Sequence, residues 1–507
     1  MIAPAMALLT ALLHCATAWR YGYFRDELYF IACSKHPAWG YVDQPPLVAV
    51  AAWLAAPFGY GLLALRALPI LAAALTCYLA VRLAAELGGG RFAQLLAGVA
   101  TLLMPAYLLL GNTLTTSSFE PFFWTLATYL CVRIVRGPAH GRLRLWLALG
   151  FVTGLGMYGK YSMLLPVAGT VVGLAVTQRR VLRTPYAAYA AAVALLVLAP
   201  DLAWQASQGW PVVEVLRGDL AHRPGLALGF ALEYRDLAAN AKAFVLEQLV
   251  YANPGAVPIW LLGIIAPFRL AALHGFRFIS IAYLLIFVVA IALEAKGYYI
   301  VGSYGALLAV GAVAIERAGA ALRTVIVCAV ALVGLAAMPL SLPVLPVDGL
   351  IAYTQRLGLT GRSGSPARLI QPIFAEEFGW ERLARDVASV YFGLPRQVRA
   401  GTAIYADTYG DAGALDFFGP RYGLPAAISS QNSYYLWGTR GYSGATLIAI
   451  GATRIDRLRQ YYRSVVLLRT STEPYRWAVE GPSPIYLCRD PVAPLPVIWP
   501  RLRWYGA

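Results

Sequence analysis

The sequence predicts a polytopic α-helical membrane protein with a C-terminal extracytoplasmic α/β domain. Three observations lead there. The chain of 507 residues is 59% hydrophobic and 13% charged, roughly half the charge of a soluble domain. Its mean hydropathy is +0.62. Apolar runs recur from the N-terminus to residue 343 and then stop. Such a composition excludes a disordered protein, an ordinary soluble enzyme and a nucleic-acid-binding domain. It calls for a chain whose main solvent is lipid.

The first apolar stretch, Ile2 to Trp19, has no basic leader and no cleavage site, so it reads as a retained helix. Further runs lie near 60–81, 92–110, 119–135, 145–158, 161–177, 184–203, 256–268, 278–294, 298–315 and 324–343, about eleven spans in all. Several are shorter than the ~20 residues of a full crossing and read as little-tilted or re-entrant.

Orientation follows from the arginines. With the N-terminus inside, the inner loops hold thirteen basic residues against two acids, Glu86 and Glu316. The outer loop 201–255 holds four basic residues and six acids. The N-terminus is therefore expected in the cytoplasm of a plasma-membrane (inner-membrane) protein.

Pro343 and Pro346 end the last span. The expected division is a membrane domain over 1–345 and a soluble extracytoplasmic domain over 346–507. In the latter, 402–406, 445–450, 465–469 and 485–488 read as strands, and 376–391 and 455–462 as helices. The six cysteines have no metal-like spacing and read as small hydrophobes.

Ionisable residues near a membrane are costly and mark function. On this topology Asp26, Glu27, Asp43, Glu120, Lys160, Asp201 and Lys296 share the outer face, although they come from separate parts of the chain. Asp26 and Glu27 sit beside Arg25 among aromatics, and Trp39 and Asp43 follow before Pro45-Pro46. A partly desolvated carboxylate suits a general base, and aromatics can stack on a sugar. Against this stands a solvated loop of helix caps and interfacial aromatics.

The motif FRDELYF (24–30), followed by WGYVDQPPL (39–47), resembles the first periplasmic loop of the GT-C glycosyltransferases of family 39. That family includes protein O-mannosyltransferases and aminoarabinose transferases. NTLTTSSFEPFFWTLATYL, GLGMYGKYSMLLP and KGYYIVGSYGALLAVGA are similar to its later motifs, and YGDAGALDFFGPRYGLPAAISSQNSYYLWG to the tail of a bacterial subgroup. The resemblance runs in order along nearly the whole chain. Many members have His where this chain has Gln44, which removes support for a metal there.

The resemblance implies transfer of a sugar from a polyprenyl-phosphate donor to a hydroxyl of a lipid, glycan or protein acceptor, with inversion. Asp26 would be the base, with Glu27 as substitute. Glu120 would orient the acceptor or share a proton with Asp26; its alternative is a helix cap. Arg25, Lys160, Lys296, Tyr298 and Tyr299 would hold the donor phosphate, where charge develops; the lysines could instead snorkel. Asp43, Trp39 and Asp201 would line the sugar or acceptor path. No cofactor is called for; a divalent metal stays open but finds no support in the sequence. Two other classes compete: a transporter or flippase for a lipid-linked sugar, which should place charges near the bilayer midplane in matched halves, and a non-catalytic membrane scaffold.

Overall fold

The computed structural model describes residues 1–137, 142–221, 237–359, 372–451, 455–476 and 482–506. They form two compact units. The first comprises residues 1–20, 66–203 and 224–346. The second joins 21–65 and 204–223 to the tail 347–507. The middle of the loop read as 201–255, residues 222–236, lies outside the described residues.

The first unit is helical, and each of the apolar runs falls on one helix or on consecutive helices. Five helices are long and apolar enough to cross a membrane: Ala67–Glu86, Pro185–Ser207, Ala271–Ala292, Gly297–Ile315 and Ala320–Leu340. Two bent pairs raise the number to seven among the described residues, with further apolar helices of 10–17 residues such as Ile2–Thr17 and Leu143–Gly159. The difference from eleven full spans thus comes from breaks and short helices.

The breaks have local causes. Arg91–Leu102 bends by 62° into Pro105–Gly111, where Pro105 takes the first helical turn and needs no backbone donor. Asn240–Tyr251 bends by 91° into Pro254–Arg269 at Asn253, which adopts φ 64°. A broken helix in lipid must find partners for its freed backbone groups. Asn253 supplies them: its buried amide donates to Leu103 O at 3.2 Å and Val330 O at 3.1 Å, and its Oδ1 accepts from Gly255 N at 2.9 Å.

Helix association in lipid relies on close packing of small residues. Gly263 and Gly311 show it: a Cβ on either would overlap the backbone of the facing helix, at Leu307 and Ile259 respectively. Met6, Cys77, Val81 and Leu102 form one of the apolar clusters of this unit.

In the second unit, four strands lie in the order β1-β2-β4-β3, with β1 Thr402–Ala406, β2 Thr446–Ile450, β3 Tyr462–Ser471 and β4 Ser483–Pro491. β1 pairs parallel with β2, and the other pairings are antiparallel. Tyr405, Leu447, Ala449, Cys488 and Trp499 share its core. The helices expected at 376–391 and 455–462 are observed at Trp380–Gly393 and Ile455–Arg459. The first begins late because Gly379 sits at φ 86°, outside helical space. The second ends early because β3 starts at Tyr462.

The N-terminal part of this unit, read as a loop, is itself helical over Arg25–Ser34 and Leu47–Ala55.

Candidate active site

In the helical unit the charged residues gather around Lys160. Residues Thr113 to Glu120 form the receiving side. Ser118 Oγ donates to Thr113 O at 2.7 Å and accepts from Thr115 N at 2.9 Å. This turn closes just before the helix Glu120–Arg136, so Ser117 and Glu120 emerge side by side. Glu120 is in the first helical turn, where the helix dipole favours a carboxylate.

Lys160 lies in an extended link between helix Arg142–Gly159 and the turn Tyr161–Met163. Its Nζ donates to Ser117 Oγ at 2.7 Å and pairs with Glu120 Oε2 at 3.4 Å. Ser162 Oγ donates to the other Glu120 oxygen. Glu120 is only 4% exposed, so the pair is desolvated enough to matter. The ring centroids of Tyr299 and Tyr298 lie 4.2 and 5.2 Å from the same ammonium, within cation–π range.

An ammonium has three donors. Ser117 and Glu120 take two, and the third can meet an anionic oxygen. Lys160 is therefore held in place rather than snorkelling.

Lys296 is different. It is exposed, and among the described residues its ammonium has no ion-pair partner. Its contribution to the cluster is backbone: Lys296 O accepts from Tyr299 N at 3.0 Å in the turn that presents Tyr298 and Tyr299. Asp201 is fully buried on the Pro185–Ser207 helix and accepts from Tyr161 OH at 2.6 Å. Its Oδ1 has no hydrogen-bond partner among the described residues.

In the second unit the focus is Asp26. Its Oδ1 accepts from Tyr409 OH at 2.9 Å and from Arg25 Nε at 3.3 Å. Its Oδ2 has no partner among the described residues. Arg25 is also 3.6 Å from Glu376 and lies over the Tyr409 ring, so its charge serves this acidic group. Glu27, beside Asp26, is fully buried and accepts from Phe24 N at 2.9 Å. That contact satisfies an orphan donor at the start of its own helix. Trp39 is 63% exposed.

Asp43 accepts from Tyr29 OH at 2.8 Å and from Asn432 Nδ2 at 3.0 Å. Burial pushes its carboxyl up to about 7, a shift opposed by the Tyr29 hydrogen bond. The Tyr29 ring lies 4.7 Å from that of Tyr409, tilted by 35°, so the surroundings of Asp26 and Asp43 are continuous. Burial raises both phenols well above their ordinary value, and they remain donors. Gln44, where the resembling family often has His, donates to Cys33 Sγ at 3.7 Å. Among the described residues no group of three His, Cys, Asp or Glu side chains could hold a metal ion.

Sequence reasoning missed Tyr29, Tyr409, Asn432, Ser117 and Ser162. The serines lie within the motifs that carry Glu120 and Lys160. Tyr409 and Asn432 lie hundreds of residues from Asp26 and Asp43, and no local pattern links them.

Residues 43–204 match the family of dolichyl-phosphate-mannose-protein mannosyltransferases. No curated protein matches the chain in sequence. Two solved structures are similar over their length: ArnT from Cupriavidus metallidurans in the apo state, and the same protein bound to undecaprenyl phosphate. The first has 16% identity and a TM-score of 0.61, covering 95% of this chain and 96% of that one. The second has 14% identity and a TM-score of 0.63, covering 95% and 97%.

The chain has a GT-C fold. The expected fold class, a multi-pass helical protein with a C-terminal sheet domain, stands. Within the GT-C fold, the matched segment includes Asp43, Glu120, Lys160 and Asp201. Family match and GT-C fold together fit a membrane glycosyltransferase.

Proposed function

We propose that this protein transfers a sugar from a polyprenyl-phosphate donor to a hydroxyl acceptor at the outer face of the plasma membrane, inverting the anomeric carbon. The observation that carries the reading is Lys160: an ammonium fixed by Ser117, Glu120 and two tyrosine rings, with one donor left for a phosphate oxygen. ArnT, which shares the fold, has been solved with undecaprenyl phosphate.

The acceptor oxygen forms a bond to the anomeric carbon as the bond from that carbon to phosphate oxygen breaks. The electron pair leaves with the phosphate, and its growing charge is stabilised by Lys160, which the Tyr298 and Tyr299 rings flank. The acceptor proton goes to Asp26, whose Oδ2 is open to it. Arg25 and Tyr409 fix the other oxygen and so orient the carboxylate. Glu120 holds Lys160, Glu27 caps its helix, and Lys296 supports the turn through its backbone.

Asp43, Trp39 and Asp201 are proposed to contact sugar or acceptor. The arginine bias supports a cytoplasmic N-terminus and an extracytoplasmic tail over 346–507, and a reporter fused at the C-terminus tests that sidedness.

The reaction is tested with purified protein in nanodiscs, undecaprenyl-phosphate hexose or pentose, and an extract of envelope lipids and glycans. Acceptor-dependent release of undecaprenyl phosphate is expected. If labelled donor crosses vesicle membranes uncleaved and no donor is consumed, the protein is a flippase and the proposal fails.

A further inference from the structure

Two buried side chains outside every recognised motif grip the turn that faces Lys160. They are Glu247 and Gln248, on the helix Leu237–Tyr251, 5% and 1% exposed. Each holds one side of the same peptide unit pair at Gly297. Gly297 N donates to Glu247 Oε2 at 2.9 Å, and Gln248 Nε2 donates to Gly297 O at 2.9 Å. The Gln248 side-chain oxygen accepts from Tyr304 OH at 3.1 Å, and Tyr304 shares a hydrogen bond of 3.2 Å with Tyr283. The Gln248 amide is thereby locked in one orientation.

Gly297 itself is sterically required. A Cβ there would overlap the Glu247 carboxylate. Lys296, just before it, is extended at φ −63° and ψ 138°, and a short helical turn runs from Gly297 to Ser303. The two rings that flank the Lys160 ammonium are the next residues, Tyr298 and Tyr299, set edge to face with centroids 4.8 Å apart. A buried carboxylate and a buried amide are costly to place in a helix that packs in lipid. Here both hold the backbone of one glycine.

We infer that Glu247 and Gln248 are positioning residues of the donor site: they clamp Gly297 and so set Tyr298 and Tyr299 against Lys160. The inference rests on the proposal that Lys160 and these tyrosines hold the donor phosphate. Misplacement by about 1 Å can cost on the order of a hundredfold, so loosening the turn should weaken phosphate binding without touching Lys160. What the clamp needs from Glu247 is an acceptor oxygen, which glutamine also has. It does not need the negative charge.

The test is titration of undecaprenyl phosphate into the full chain in nanodiscs, with thermal unfolding in parallel. Glu247→Leu and Gln248→Leu should each weaken binding by roughly tenfold to a hundredfold, while Glu247→Gln binds like the wild type. Combined with Lys160→Met, Glu247→Leu should add little, because both act on one contact. Weak binding by Glu247→Gln equal to that of Glu247→Leu would overturn the clamp, since the charge itself would then matter. Should Glu247→Leu unfold, Gln248→Glu replaces it: it keeps the acceptor for Tyr304 but loses the donor to Gly297, so normal binding would overturn the inference. Normal binding by the clamp variants with weak binding by Lys160→Met would sink the clamp alone. Normal binding by Lys160→Met would remove the donor-site reading and the clamp with it.

Discussion

The ammonium of Lys160 lies 4.2 Å from the centre of the Tyr299 ring and 3.4 Å from a carboxylate oxygen of Glu120. The lysine is thus partnered on two sides by groups of different kinds. An aromatic face attracts the cation without neutralising it, and the carboxylate fixes its position.

This arrangement separates the roles of ring and hydroxyl at position 299. Tyr299→Phe keeps the cation–π contact, worth about 0.5–2 kcal/mol, and should bind undecaprenyl phosphate close to normally. Tyr299→Leu should weaken it by up to about thirtyfold. Lys160→Met removes a charge-assisted contact of about 1.5–3 kcal/mol, so a loss of roughly tenfold to a hundredfold is expected. Titration calorimetry in nanodiscs reads all three.

Glu120 should behave as a support for the lysine. Glu120→Gln keeps an acceptor for Ser162 and for the ammonium but loses the ionic part, and donor KM should rise with little change in kcat. A collapse of kcat at unchanged KM would instead place Glu120 in the proton transfer.

Glu27 should prove structural. Glu27→Ala deletes a cap contact worth about 0.5–2 kcal/mol, so unfolding temperature should fall while turnover per folded molecule stays near normal. Glu27→Gln retains an acceptor for Phe24 N and should lose less stability. Thermal melts beside an activity assay decide it; full stability with lost turnover would make Glu27 catalytic.

Asp43 gives a pH signature. Its carboxyl is raised to about 7 in the folded chain, against about 3.9 when unfolded. Between these values the folded state holds a proton that the unfolded state has lost. Stability from this group is therefore complete below about pH 4 and is lost as pH rises through 7. Asp43→Asn should flatten that part of the curve. Melting the wild type and variant from pH 4.5 to 8 measures it, and parallel curves would mean that Asp43 is ionised throughout.

Much of the architecture is legible in the sequence because lipid enforces it. The runs at 60–81, 184–203 and 324–343 became long helices, and the segment 402–406 became a strand with those bounds. The helix Leu237–Tyr251 was not visible, because Lys242, Glu247 and Gln248 interrupt its apolar pattern. Glu247 and Gln248 serve the Gly297 backbone, a contact about fifty positions away.

Site residues divide in the same manner. Lys160 and Glu120 stand out as ionisable groups between apolar runs. Lys296 stood out for the same reason, yet its exposed side chain leaves the turn to Tyr298 and Tyr299. Tyr409 and Asn432 carry no such signal, since a tyrosine or asparagine in a soluble tail is ordinary until the fold sets it against Asp26 or Asp43.

The central claim is that Asp26 accepts a proton during transfer of a sugar to an envelope acceptor. The most direct measurement is mass spectrometry of envelope lipids and glycans from cells carrying the wild-type gene, the Asp26→Asn variant or no gene. Wild-type cells should contain a species heavier by one sugar residue that gene-less cells lack. With general-base catalysis worth about 10²–10⁴-fold, the variant should lack it too, although its protein accumulates normally in the membrane. An undiminished sugar adduct in Asp26→Asn cells, or the same lipids and glycans with and without the gene, would contradict the account.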